Sequence, residues 1–288
     1  MTNASATFTL SAFGDEIADD VDAQLAVLGE LGIGWLELRK AWGTNVLQLS
    51  DGQVADLSKA CSRHSIKVSC IGSPIGKSRI TEPIAPVLSD LSRILDNAEA
   101  LGSGLVRVFS FYPPEGADQA DYVGESIARL TQMAEMAEAR GLTLLLENEG
   151  GLVGDIPERC LALVEGVDRA SLQFVWDTGN FPHSGVSHAF DRGWPLLGDH
   201  VACVQVKDAI VADSTITVAG DGDGQIPELL SALRESEYRG FLALEPHLKV
   251  AGQRGGFSGP DGMRRAAAAL RGLMAAAGCE ETATPGLE

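Results

Sequence analysis

Thr7-Phe-Thr-Leu-Ser-Ala-Phe-Gly-Asp-Glu16 opens as an apolar, β-rich run and closes on two carboxylates. A doubly wound dinucleotide-binding fold would put a glycine-rich phosphate turn after its first strand, and Asp15 and Glu16 would repel a pyrophosphate there. The next segment has helical period. Val21, Leu25, Leu28 and Leu31 recur three or four residues apart, and Gly32 stops the helix before a new apolar run begins at Trp35. A strand followed by a helix is therefore the first unit of the chain.

The unit repeats to the end. Short β-rich runs occupy residues 7–13, 35–39, 67–73, 105–111, 143–149, 172–178, 201–208 and 241–247, each followed by a helix candidate. In the fourth helix Ile127, Leu130, Met133 and Met136 keep the spacing and Gly141 ends it, while the eighth, centred on residues 266–277, is rich in alanine. Eight βα units close a barrel better than they fill an open sheet. A chain of 288 residues with 45% hydrophobic content suits one such domain, commonly about 250 residues. The expected architecture is a single α/β domain, a (β/α)8 TIM barrel over residues 1–278, with 279–288 a disordered tail. The 33 glycines and 12 prolines are scattered as turn punctuation and mark no linker.

The net charge of −18 makes the general surface repel nucleic acid and anionic membranes, whose binding begins with Lys/Arg neutralisation of phosphate. The sequence shows no signal-peptide pattern and no apolar run of about 18 residues, so a cytoplasmic location without a membrane span is expected. Cys61, Cys70, Cys160, Cys203 and Cys279 are odd in number and lack CxxC spacing, which points to reduced core fillers and not to disulfides or a thiolate zinc site.

In a barrel of this kind the chemistry sits at the C-terminal ends of the strands. Strand five ends in Glu147-Asn148-Glu149, strand six in Asp177-Thr-Gly-Asn180, strand seven in Gln205-Val-Lys207-Asp208 and strand eight in Glu245-Pro-His247. One acid at a strand end usually caps a helix or pairs with a cation. Four consecutive apolar strands closing on acids or amides are better explained by a shared site. Glu147, Asp177, Gln205 and Glu245 offer three carboxylates and an amide carbonyl, suited to one divalent ion such as Mn2+ or Mg2+.

These motifs resemble the xylose isomerase-like TIM barrels, the sugar phosphate isomerase/epimerase superfamily that also holds endonuclease IV-like enzymes. The resemblance runs from Ser11-Ala-Phe-Gly-Asp-Glu16 to Gly240-Phe-Leu-Ala-Leu-Glu-Pro-His247 and is most specific at Leu146-Glu147-Asn148, Trp176-Asp177-Thr-Gly-Asn180, Val204-Gln205-Val-Lys207-Asp208 and Leu244-Glu245-Pro246. It implies that Glu147, Asp177, Gln205 and Glu245 are the metal ligands and that Glu147 and Glu245 are the acid/base pair. Gln205 stands where many relatives have His, as in hydroxypyruvate isomerases, and Asn180 stands where a His often follows the metal-binding Asp. Endonuclease IV-like members need several strand-end histidines. Here only His247 and the loop residue His183, of five histidines, fall near the rim, so DNA repair is not expected.

Isomerisation or epimerisation beside a carbonyl needs a Lewis acid, a base for the α-proton and an acid to return it. The expected function is thus a metal-dependent isomerase or epimerase of a ketose or related hydroxy-carbonyl compound, acting through an enediolate. The alternatives are a lyase or dehydratase, of the inosose dehydratase or 3-keto-glycoside-cleaving kind, at the same site, and a non-catalytic sugar- or metal-binding subunit. Lys207 shares a strand face with Gln205 and either stabilises an oxyanion or pairs with Asp208 or Asp177. Glu37, Arg39, Ser73, Lys77, Arg107, Ser110 and Tyr112 lie at strands two to four and form a substrate half, joined by Asn180, His183, His247 and a lid arginine, Arg254. Gly220-Asp-Gly-Asp-Gly224 reads as a flexible turn, since its aspartates argue against an anion. The expected partners are a small sugar-like molecule and, as an option, further copies of the chain.

Overall fold

The computed structural model describes residues 6–248 and 257–282. Eight parallel strands form its centre: β1 (Ala6–Phe13), β2 (Trp35–Leu38), β3 (Lys67–Ile71), β4 (Leu105–Val108), β5 (Thr143–Glu147), β6 (Leu172–Asp177), β7 (Val201–Val206) and β8 (Phe241–Leu244). Each pairs with the next, and β8 pairs with β1 in the register Thr9 to Phe241 through Ala12 to Leu244, so the sheet closes. The helices α1 (Val21–Glu30), α2 (Asp51–Arg63), α3 (Ile84–Leu101), α4 (Val123–Glu138), α5 (Pro157–Val167), α6 (Ala189–Leu197), α7 (Ile226–Glu235) and α8 (Gly259–Ala276) follow the strands in turn. This is the closed (β/α)8 barrel, with a short extra helix, Asn180–His183, between β6 and α6.

Local chemistry sets the helix ends. The Asp20 carboxylate accepts the Ala23 N–H at the start of α1, Ser50 and Gln53 form a reciprocal cap on α2, and α3 stops at Gly102 with φ of 69°. Each helix then buries one face. In α4, Leu130, Met133, Ala134 and Ala137 are buried, and each large side chain so covered contributes about 1.5–3 kcal/mol.

Strand alternation decides what enters the lumen. Leu144 and Leu146 of β5 belong to the layer between sheet and helices, whereas Leu145 packs inside with Cys70, Val175 and Cys203. Glu147 follows Leu145 by two residues and takes the same side, as Asp177 follows Val175 and Gln205 follows Cys203. On β2, Trp35 closes the lower lumen against Phe241, with ring centroids 5.0 Å apart, and Glu37 and Arg39 continue its face upward. An apolar plug thus passes directly into a polar upper layer.

Seven strands end earlier than expected, at Leu38, Ile71, Val108, Glu147, Asp177, Val206 and Leu244. The fourth strand stops at Val108 and does not run to 111, because Phe109 and Phe111 donate to Ile75 O and Gly76 O of the loop after β3 and leave the ladder with β5. Residues 279–281, read from sequence as part of a disordered tail, form a short strand, Cys279–Glu281, parallel to the Ala6–Phe8 end of β1. Residues 283–288 lie outside the described residues. Among those described, no helix is long and apolar enough to cross a membrane.

Candidate active site

Three of the four strand-end residues converge, and the fourth, Gln205, stands beside them in the sheet. One oxygen each from Glu147, Asp177 and Glu245 lies within 4.8 Å of the others, and all three side chains are buried. Gln205 is the direct neighbour of Asp177 across the β6–β7 ladder and of Ala243 across β7–β8. Above them opens a cavity of about 330 Å³ walled by Glu147, Glu245, Arg39, Arg107, Lys207 and His247, with Lys77, Glu149, Asn180, His183, Ser214 and Ile216 completing its rim.

Buried cations hold the acids apart. Arg39 reaches Glu245 at 2.6 Å, Asp15 at 2.8 Å and Glu16 at 3.3 Å. Arg107 Nη1 lies 3.1 Å from Glu147 Oε2, and its Nη2 donates to Gly72 O. Lys207 Nζ stands 3.0 Å from Asp177 Oδ2 and 3.4 Å from Glu245 Oε2, so the ion pair with Asp177 is formed and one with Asp208 is not among the contacts of the described residues. Burial pushes Glu147 up to about 8, with Arg107 opposing and Glu245 and Asp177 adding to the rise. Asp177 is pushed up to about 7 by burial, against Lys207. Burial also opposes ionisation of Glu245, but Lys207, Arg39 and Arg107 outweigh it and hold that carboxyl well below the usual range. The Lys207 ammonium is itself held above its ordinary range, because Asp177 and Glu245 overcome the cost of burying it.

The donor set fits a hard divalent cation. Gln205 Oε1 is a buried acceptor without a hydrogen bond among the described residues, although such groups normally find partners, while Glu147 Oε2 and Asp177 Oδ2 meet only the cations Arg107 and Lys207 there. Three carboxylates converging from three strand ends, with the Gln205 amide in register beside Asp177, are the ligand chemistry of Mg2+ or Mn2+. A second group, Glu16, Glu245 and His247, also lies within reach of one cation. It shares Glu245 with the first, and Arg39 already contacts both of its glutamates.

Several expected substrate contacts have other tasks. Glu37 is 1% exposed, absent from the cavity wall, and accepts the Gln205 Nε2 hydrogen bond at 2.8 Å; burial pushes it up to about 8, with Arg107 opposing. Ser73 is also below the wall, its hydroxyl donating to Arg107 O and accepting from Ile75 N. Ser110 accepts from Gly154 N, while Tyr112 is exposed and absent from the wall. Asn180 does reach the cavity, and its Nδ2 donates to Glu147 Oε1 and Asn148 O at 2.9 Å each. Lys77 lies over the Phe109 ring and pairs with Glu149 at 2.6 Å, not with Glu37 or Glu147. His183 Nδ1 meets Ser214 O at 3.0 Å, tying the loop after β6 to the hairpin after β7. His247 Nε2 lies 3.5 Å from Glu16 Oε1, and burial lowers it to about 3, so the ring is neutral near pH 7. Arg254 lies outside the described residues.

Sequence reasoning missed Asp15, Glu16 and Glu149 as site residues. The strand-end rule applied to β1 finds the first pair, and the period of two after Glu147 finds Glu149. Ser214 and Ile216 arrive on the hairpin of Asp208–Ile210 with Thr215–Thr217, for which no strand-end signal exists. The glycine turn beyond that hairpin is also not the free loop that composition suggests. Asp208 accepts the N–H groups of Gly220, Gly222 and Gly224 at 2.8–3.1 Å, together with its neighbour Ala209. A Cβ at Gly222 would stand 2.4 Å from Asp208 Oδ1, so close approach explains that glycine.

With this geometry in place, comparison with known proteins gives the family. The family described as xylose isomerase-like TIM barrel matches residues 25–273, and the chain belongs to it. An uncharacterised protein of Methanocaldococcus jannaschii, MJ1311, is 28% identical over 158 residues, 52% of this chain and 53% of its own. The chain thus spans about half the length of that curated relative. Among solved structures, a D-tagatose 3-epimerase-like protein superposes with a TM-score of 0.74 at 17% identity, covering 94% of this chain and 98% of its own. The probable 3-DHS dehydratase AsbF of Bacillus anthracis gives 0.71 at 14%, covering 92% and 98%. A xylose isomerase-like TIM barrel protein of Mycobacterium smegmatis, in complex with magnesium, gives 0.71 at 16%, covering 95% and 99%. At these identities the likeness establishes the fold.

Proposed function

We propose that the protein is a divalent-metal-dependent isomerase or epimerase of a ketose or related sugar-like hydroxy-carbonyl compound. The observation that carries this is the convergence of Glu147 and Glu245, from strands separated by β6 and β7, on one cavity beside Asp177 and Gln205. Glu147, Asp177, Gln205 and Glu245 would hold the ion. Bound there, it supplies Lewis acidity to a substrate carbonyl.

The chain's own groups supply the rest. Glu245, beside Arg39 and Lys207, is kept ionised and so is the carboxylate free to accept a proton from the carbon next to the carbonyl, although the same cations weaken it as a base. Glu147, beside one guanidinium and fixed by Asn180 Nδ2, suits return of a proton from its own side. Lys207 faces the same cavity and can stabilise negative charge developing on a substrate oxygen.

The test is α-proton exchange in D2O on a panel of ketoses with the Mn2+- or Mg2+-loaded protein. Wild type is expected to incorporate deuterium without change of skeleton, and Glu147→Gln and Glu245→Gln to slow this by about 10² to 10⁴. Release of water or an aglycone would move the reading to elimination, and no exchange on any member would count against catalysis of this type.

A further inference from the structure

The Gln205 amide has two ends of opposite polarity, and only its oxygen can hold a cation. β1 and β8 lie between β2 and β7 around the barrel, yet Gln205 Nε2 reaches across the lumen to Glu37 Oε1 at 2.8 Å. Both side chains are buried, so the contact does not compete with bulk water. Gln205 Oε1 accepts no hydrogen bond, and Gln205 stands in register with Asp177. We propose that Glu37 is a positioning residue, which claims the amide N–H of Gln205 and so turns Gln205 Oε1 toward the cation locus it shares with Glu147, Asp177 and Glu245. This rests on reading those residues as a metal site.

An amide can rotate by half a turn with little change in shape, so its partner decides which end faces the site. Glu37 Oε1 accepts the N–H whether or not Oε2, which has no hydrogen-bond partner, carries a proton. The amide's other orientation would point an NH2 group at the cation. A substrate-binding role would need Glu37 on the cavity wall, and it is not there. Partners that orient metal ligands commonly change metal affinity by about 10- to 100-fold.

The test is the Mn2+ dissociation constant, by calorimetry on the full chain, for wild type, Glu37→Gln, Gln205→Ala and the double variant. Glu37→Gln keeps the shape but can offer its own NH2 to Gln205 and let the amide turn over. We expect it to weaken Mn2+ by about 10- to 100-fold when Gln205 is present and by less than about threefold in the Gln205→Ala background, where no amide remains to orient. Equal losses in both backgrounds, or no loss in either, overturn the proposal. If metal-free melting shows that Glu37→Gln is misfolded, Glu37→Met fills similar volume without a donor and should give the same coupling. A wild type that binds neither Mn2+ nor Mg2+ refutes the metal reading itself, an outcome distinct from bound metal without coupling.

Discussion

Lys207 Nζ stands where a divalent cation would meet Asp177 and Glu245. Its removal should therefore affect binding and turnover in opposite directions. Lys207→Met is expected to tighten Mn2+ by roughly tenfold, equivalent to about 1.4 kcal/mol of relieved repulsion, while slowing α-proton exchange by at least about 10². Titration calorimetry beside the exchange assay checks both signs, and weaker Mn2+ binding would show that the ammonium supports the ion. A second expectation concerns protons. Burial raises Glu147 to about 8 and Asp177 to about 7, so the metal-free folded protein retains protons that an unfolded chain gives up in the ordinary carboxylate range. Their contribution to metal-free stability is complete below that range and is lost as pH rises through about 7 to 8. Cation binding competes with protonation of this cluster, so Mn2+ affinity should climb from about pH 6 to 8 with proton release. Calorimetry in two buffers of different ionisation heat measures the release, and none at pH 6.5 would contradict the raised values. At this scale the sequence revealed which residues close the strands but not how they pair. The strand-end positions of Glu147, Asp177, Gln205 and Glu245 were legible because alternation along β5 to β8 is local. The contact of Glu37 with Gln205 spans 168 positions and depends on barrel closure, which no short-range pattern encodes.

The hairpin after β7 and its glycine turn show what an element adds. Asp208 accepts four backbone N–H groups, three from the turn, which anchors the segment carrying Ser214 and Ile216 to the site's edge. Asp208→Asn replaces one accepting oxygen with a donor facing those N–H groups. It is expected to cost about 2–3 kcal/mol, since hydrogen bonds to a charged group contribute about 1.5–3 kcal/mol each and the turn can relax in part. Urea unfolding measures it, and a loss below about 0.5 kcal/mol would show the turn to be held elsewhere. The helices were readable to within a residue or two at Gly32 and Gly141, both of which adopt positive φ. The strands were read too long at their C-terminal ends. Apolar character continues through Phe109 and Phe111, but their N–H groups pair with the loop after β3, a choice made by neighbouring backbone and not by propensity.

For the molecule as a whole, a ligand that binds only the folded barrel must raise its stability. Mn2+ at one hundred times its dissociation constant should add about 2.7 kcal/mol, or roughly 5–10 °C in melting temperature for a chain of this size. A chelator should reverse it. A melting temperature indifferent to both additions would count against a metal site in the barrel. The closed eightfold plan was legible because each βα unit repeats the same punctuation, whereas the parallel strand at Cys279–Glu281 was not, since its pairing depends on the far end of the chain. The Asp208 turn also bears on which ligands the barrel mouth admits. Barrels of this kind often receive a phosphoryl group on the loops after strands seven and eight, but here the Gly220, Gly222 and Gly224 N–H groups after strand seven are occupied by a covalently tethered competitor. A tethered carboxylate acts at an effective concentration that free phosphate cannot approach in solution. Millimolar inorganic phosphate should therefore leave the proposed ketose exchange unchanged, and discrimination between a sugar and its phosphate ester would have to arise elsewhere around the mouth.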